Sequence, residues 1–244
     1  MKYLNSISIT ALLLLFISCT NDAKDNQLTK HTTVIKNFDE VGIVHNNGLD
    51  FIFSEETLLK LKTYNKGEDG VDTDAIATLI MEQTNTFLEG KTLEFENTTV
   101  ALSPIESVDT FLQVYNNPEL GIYTPCSGTA EEVTECINSI MNDYLAHPER
   151  EDYTIVMSTG ALYKHSVAYW SSEENRKADF TAFQHKGWFN WVSCAIADAQ
   201  GAWGGAEIGA VGGPAGAIGG AVAVGLMSSA YNSAIQAAVH GAQQ

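Results

Sequence analysis

The chain has 244 residues and is acidic, with 13 Lys and Arg against 30 Asp and Glu and a formal net charge of −17. Such a charge is repelled by the phosphate backbone of nucleic acids, so it argues against a DNA- or RNA-binding role. Because 45% of the residues are hydrophobic, the chain is also not expected to be intrinsically disordered. We therefore expect a folded protein of one domain or two small ones.

The N-terminus predicts an export signal. A positively charged start, Met1-Lys2, precedes the apolar run Ile7–Ile17, which is too short to span a bilayer as a helix. The string Phe16-Ile17-Ser18-Cys19 resembles the lipobox of bacterial lipoproteins, although that family prefers Leu where this chain has Phe16. The resemblance implies cleavage before Cys19 and a lipid on that cysteine. The alternatives are an ordinary secretory signal cut elsewhere and an N-terminal membrane anchor.

The same resemblance implies a location. It places the protein in the cell envelope, anchored through lipid to the outer membrane of a Gram-negative bacterium. If the lipobox interpretation is wrong, the leader predicts a secreted protein. The segment from Thr20 to Gln27 is polar and aperiodic, which is typical of a flexible tether. We expect four segments: a signal peptide at residues 1–18, a tether at 19–37, a helical body at 38–186 and a glycine-zipper tail at 187–244.

Three cysteines remain if Cys19 carries a lipid. Cys126 and Cys136 lie ten residues apart across the start of a predicted helix, so a local disulfide can form in an oxidising compartment. This pairing leaves Cys194 outside the disulfide. Three buried thiols are an equally good interpretation of the same residues.

The body is predicted to be all-α, a bundle of helices. Ser54 before two glutamates is a typical helix start, and Thr129-Ala130-Glu131-Glu132 is a capping box. Apolar residues recur at helical intervals from Ile76 to Leu88, and an apolar and aromatic stripe runs from Tyr153 to Trp170. Evidence for strands is limited to a weak alternation between Lys91 and Leu102.

The tail is rich in Gly and Ala and nearly uncharged. After Lys186 there is no Lys or Arg, and only Asp198 and Glu207 carry charge. Counting every fourth residue gives a row without large side chains, which we predict to be a helix-packing face because small residues let two backbones approach closely. The row consists of Gly201, Gly205, Gly209, Gly213, Ala217, Ala221 and Gly225.

The tail could be one helix or a helical hairpin. The 24 uncharged residues from Ile208 to Tyr231 would reach ~36 Å as a helix, enough for a ~30 Å bilayer core. The opposing interpretation is a close-packed soluble hairpin that is broken at Gly212-Gly213-Pro214. Membrane insertion and self-association through residues 201–231 therefore both remain open.

The stretch from Gly212 to Ala221 resembles the glycine-zipper segments of outer-membrane lipoproteins and of the pore-forming peptides of two-component bacteriocins. The bacteriocin peptides are short and usually cationic, whereas this chain is long and acidic. The stretch from Val41 to Asp50 resembles uncharacterised secreted bacterial proteins with Gly/Ala-rich tails, which implies no function. We expect a lipid-anchored envelope protein of structural or interaction type, with a bacteriocin-like or effector protein as the alternative.

The sequence contains no motif that predicts an enzyme, a metal site or a cofactor. The six histidines lack metal-ligand spacing, and no phosphate-loop lysine follows the glycines. His45, Asn46 and Asp50 are the best candidates for a catalytic or ligand site. They are better interpreted as a satisfied polar network in the core, because buried polar groups are normally hydrogen-bonded.

Overall fold

A computed structural model describes residues 31–34, 37–64, 70–95, 98–102, 104–172 and 189–241. This part of the chain is mostly helical and packs as a bundle, so the prediction of an all-α fold is confirmed. The predicted signal peptide, Cys19 and most of the predicted tether lie outside the described residues. The helices are α1 (Asp39–Ile52), α2 (Glu55–Thr63), α3 (Thr73–Leu88), α4 (Val108–Tyr115), α5 (Ala130–Leu145), α6 (Tyr153–Ser171), α7 (Trp191–Gly209) and α8 (Gly213–Gly241).

Side-chain caps begin several helices where the sequence predicts them. The Ser54 side chain accepts a hydrogen bond from the Thr57 amide at the start of α2. Thr129 and Glu132 form the predicted capping box at the start of α5, in which each side chain accepts from the backbone amide of the other residue. These caps stabilise the helices because the first amides of a helix have no partner within it.

A small three-stranded sheet packs beside the helices. Its strands are β1 (His31–Val34), β2 (Lys91–Phe95) and β3 (Thr98–Ala101), in the order β1-β2-β3. β2 and β3 are antiparallel neighbours, and β1 pairs in parallel with β2. The weak alternation in the sequence therefore corresponds to the β2–β3 hairpin. β1 was not predicted, because its partner lies far along the chain.

Helices α7 and α8 form a helical hairpin within the bundle. They are joined by one 3₁₀ turn, Ala210–Gly212, and Gly213 follows with a φ of +77°. Glycine adopts this conformation without the strain that a side chain would cause. Pro214 then lies in the first turn of α8, where its missing N–H costs no helical hydrogen bond. The tail is therefore a helical hairpin and not one continuous helix.

Body and tail share one hydrophobic core. α6 lies along α7, while α1 and α3 pack on α8. Leu49 of α1, Leu162 of α6 and Ile218 of α8 are all fully buried. By length and composition the helical stretch Trp191–Val239 could cross a membrane, but 61% of its most apolar window is buried inside the fold. The hairpin is thus a central element against which the body helices pack.

Candidate functional site

The two arms of the hairpin touch through glycine backbones near the hairpin turn (Ala210–Gly213). A Cβ atom added at Gly205 would overlap the carbonyl oxygen of Gly220, and a Cβ atom at Gly220 would overlap that of Gly205. Gly209 and Gly216 oppose each other in the same way. Because no side chain fits between the backbones at these four positions, α7 and α8 approach each other more closely than helices with larger residues can.

The predicted packing row holds on α7 and ends at the hairpin turn. Gly201, Gly205 and Gly209 all face α8, where an added Cβ would meet backbone atoms. Gly213 lies in the hairpin turn, and no atom comes within 4 Å of a Cβ added there. The predicted packing role of Gly213 is therefore wrong, because this glycine serves the backbone conformation of the turn and not a helix contact.

On α8 the contact uses a different row from the predicted one. The α8 glycines at which an added Cβ would overlap the α7 backbone are Gly216 and Gly220, each one residue before the predicted Ala217 and Ala221. The two alanines are buried beside the contact, and Gly225 faces side chains of both α6 and α7. The predicted row assumed one continuous helix. Because the hairpin turn interrupts the helix, the four-residue spacing does not continue from α7 into α8. A different face of α8 therefore meets α7.

Farther from the hairpin turn, a buried polar network joins four helices. Asp198 of α7 accepts hydrogen bonds at Oδ2 from the Ser166 hydroxyl and from Trp170 Nε1, the latter at 3.0 Å. Its Oδ1 lies 3.4 Å from Nε2 of His45 on α1, an electrostatic contact longer than a good hydrogen bond. Trp170 Nε1 also lies 3.1 Å from the Ser229 hydroxyl of α8. These five residues are called the polar network.

Asn46 determines which nitrogen of His45 carries a proton. The Asn46 amide nitrogen donates to the His165 carbonyl at 3.3 Å, which turns the Asn46 oxygen toward His45 Nδ1 at 3.0 Å. Nδ1 must then donate, so the contact between Nε2 and the Asp198 carboxyl is attractive only when a proton lies between them. Burial raises the pKa of Asp198, and the nearby His45 opposes that rise.

His45, Ser166 and Asp198 are the residue types of a hydrolase triad in a different arrangement. In a triad the serine hydroxyl contacts the histidine, which the carboxylate orients. Here Ser166 donates directly to Asp198, and the side chains of all three residues are fully buried. A substrate cannot reach them in this conformation. The network can hold α1, α6, α7 and α8 together, but it is not arranged to activate a nucleophile.

The structure keeps His45 and Asn46 in contact with each other and gives Asp50 a separate partner. His45 contacts Asp198, Asn46 binds the backbone of α6, and Asp50 accepts a hydrogen bond from the Tyr169 hydroxyl at 3.0 Å. Sequence reasoning missed the role of Asp198. The available signal was its isolation among small uncharged residues, since a lone carboxylate in an apolar helix requires a partner.

A disulfide joins Cys126 to Cys136, with 5.5 Å between their Cα atoms. Of the two interpretations of these cysteines, the structure has the disulfide and not the buried thiols. Cys194 is a buried thiol whose Sγ lies 3.6 Å from Oδ1 of Asn232 on α8.

An apolar groove with a cavity volume of about 110 Å³ lies beside the hairpin turn. Val100 and Ala101 of β3 line one side, and Ile208 and Val224 of the two hairpin arms line the other. Val211 also lines the groove and is 55% exposed. The lining residues carry no charge, so the groove suits a small apolar group. It is called the tip groove.

Comparison of the chain with protein-family models, with curated proteins and with solved structures finds no match. Within the described ranges, no group of three or more His, Cys, Asp and Glu side chains is placed to hold a metal ion. A function must therefore be inferred from the chain's own residues.

Proposed function

We propose that the chain is a lipid-anchored protein of the cell envelope, with a helical body that serves a structural or interaction role. The observation that carries this proposal is the inward packing of the glycine zipper. The small-residue faces of α7 and α8 meet each other, which supports a use of this face in building the body. The lipid-anchor half of the proposal rests on the lipobox resemblance that ends at Cys19.

The chemistry of the described residues supports an interaction role better than a catalytic one. The polar network is closed to solvent and connects helices. The tip groove is apolar and offers no acid, base or nucleophile among its lining residues. A rigid body with a strongly acidic composition suits a protein that is displayed at a surface and contacts other molecules there.

The anchor is tested by replacing the cysteine. For Cys19→Ala we expect the protein to leave the membrane fraction and its intact mass to lose the contribution of the lipid. Thr20→Ala is the matched control, because it changes the neighbouring residue and leaves the cysteine. Unchanged fractionation and mass in Cys19→Ala would contradict the anchor.

A second candidate function is membrane disruption by the hairpin. It is favoured by the length and apolar composition of Trp191–Val239, in which only Asp198 and Glu207 are charged. In this alternative the arms keep their glycine contacts and enter a bilayer together, since contacts between small residues also hold helices together in lipid. The body helices would have to release the hairpin first.

Dye release from liposomes by the full chain tests this alternative. Val211→Asp places a charge at the tip of the hairpin that would have to enter the bilayer, which is unfavourable because a charge loses its hydration there. Leu145→Asp is the matched control, because Leu145 and Val211 are both 55% exposed and Leu145 lies outside the hairpin. Release that falls in the Val211 variant alone would support the alternative. No release by the unaltered chain at any lipid composition would count against it.

A further inference from the structure

The tip groove lies at one identifiable end of the small sheet. In the register of the strands, His31 is opposite Lys91, and the next position of β2, Thr92, is opposite Ala101. The first residue of β1 and the last residue of β3 are therefore at the same end of the sheet. With neighbouring strands ~4.8 Å apart, they lie ~10 Å from each other. Ala101 lines the tip groove, so the chain enters β1 close to that groove.

The position of the proposed lipid relative to this end follows from chain length. Cys19 precedes His31 by twelve residues, which span at most ~40 Å when fully extended. A lipid on Cys19 would thus keep this end of the sheet within ~40 Å of the bilayer surface. The apolar groove and the hairpin turn lie at this same end.

We propose that the tip groove and the hairpin turn dock onto the bilayer that holds the Cys19 lipid, with Val211 in contact with acyl chains. This inference rests on the proposed lipid anchor. A bilayer is favoured over a polar partner because the lining residues Val100, Ile105, Ile208, Val211 and Val224 are all aliphatic. The contact is confined to this end, because the acidic chain as a whole is repelled by anionic headgroups.

Site-directed fluorescence on the lipidated full-length protein tests the docking. An environment-sensitive probe is attached at Val211→Cys or Ala101→Cys, both in the tip groove, in phosphatidylethanolamine vesicles with a minor fraction of phosphatidylglycerol. Leu145→Cys and Leu59→Cys are the controls, since these side chains are 55% and 56% exposed and lie on α5 and α2. The native cysteines do not compete for the probe: Cys126 and Cys136 form a disulfide, Cys194 is buried, and Cys19 is lipidated in the tested protein.

We expect a blue shift at both groove positions and severalfold stronger quenching by spin-labelled lipids than at either control. If the protein sediments with vesicles and all four probes report water, the docking is wrong and the anchor stands. If the protein does not sediment with vesicles, the anchor itself is wrong, and the docking with it. A shift at Val211 without one at Ala101 would also overturn the docking, because the hairpin would then have left the sheet, as in the membrane-disrupting alternative.

Discussion

The two halves of the hairpin hold α7 and α8 together by different means. Near the hairpin turn, Gly205 and Gly209 bring bare backbone against α8, and no polar side chain takes part. Farther away, Asp198 of α7 reaches α8 only through Trp170 of α6, which also contacts Ser229. The glycine half therefore depends on backbone contact between the two arms, whereas the polar half adds side-chain hydrogen bonds, some direct, such as Ser193 to Asn232 at 3.2 Å, and some through Trp170 of α6.

Because of this difference, different kinds of substitution should destabilise the two halves of the hairpin. The glycine half requires that no side chain lies between the two helix backbones, so any side chain added there should destabilise it. The polar half requires paired hydrogen-bonding groups, so it should be damaged by the removal of a partner and should tolerate a replacement of the same shape. The following predictions test the comparison in order of expected effect.

Gly205→Leu should have the largest effect. Overpacking typically costs ~1–3 kcal/mol, and we expect about 3 kcal/mol or more here because the obstacle is the backbone of Gly220, which cannot rotate away. Urea unfolding followed by circular dichroism measures the loss. The matched control is Val211→Leu, at an exposed position of the hairpin turn, which should change stability by less than about 0.5 kcal/mol. Similar losses in the two variants would show that the close backbone contact has no special role.

Asp198→Ala should lower the free energy of unfolding by about 3 kcal/mol. It leaves the Ser166 hydroxyl and His45 Nε2 buried without their carboxyl partner, at ~1–3 kcal/mol for each group. Trp170 retains its contact with Ser229. Asp198→Asn should cost clearly less, because its amide oxygen can still accept from Ser166 and Trp170. If Asn proved as harmful as Ala in urea unfolding, the negative charge, and not the hydrogen-bonding shape, would be the important property.

Gly213→Ala should cost ~1–3 kcal/mol through backbone strain, since Gly213 has φ +77° and ψ −168°. Gly213→Leu should cost nearly the same, because the space around an added Cβ is open. At Gly209, in contrast, Leu should be more harmful than Ala. The melting temperatures of these four variants measure both differences. A further loss from Ala to Leu at Gly213 would contradict the assignment of this residue to the turn.

The smallest expected effect is a pH dependence from Asp198. Burial raises its pKa in the folded protein above the ordinary value of 3.8, so the folded state binds this proton more tightly than the unfolded state. The stabilising contribution is therefore complete below pH 3.8 and is lost as the pH rises through the folded pKa. Wild type should accordingly lose stability relative to Asp198→Asn as the pH rises above 3.8 toward the raised pKa of the folded protein.

Urea unfolding of both proteins at each pH measures this difference. Titrating groups distant from Asp198 cancel because the two chains share them, whereas His45, 3.4 Å from the carboxyl, stays part of the measured difference. If the difference in the free energy of unfolding between wild type and Asp198→Asn stays constant with pH, the proton on Asp198 is bound equally in the folded and unfolded states.

The helices of the body could be predicted because their signals are local. The capping box at Thr129 and Glu132 and the apolar spacing from Ile76 to Leu88 involve residues within one or two helical turns of each other. Strand β1 could not be predicted in this way. Its partner β2 lies far along the chain, and the pairing depends on how the helices between them pack.

The sequence by itself determined that the tail would contain a face without large side chains and a break near Gly213-Pro214, because residue size and backbone freedom belong to each residue. Only the tertiary structure decided that Gly216 and Gly220 meet α7, since the four-residue spacing of small residues does not continue through the hairpin turn. It also decided that Asp198 is matched with His45, far away in the chain. Such a pairing forms only when the whole bundle has excluded water from both groups.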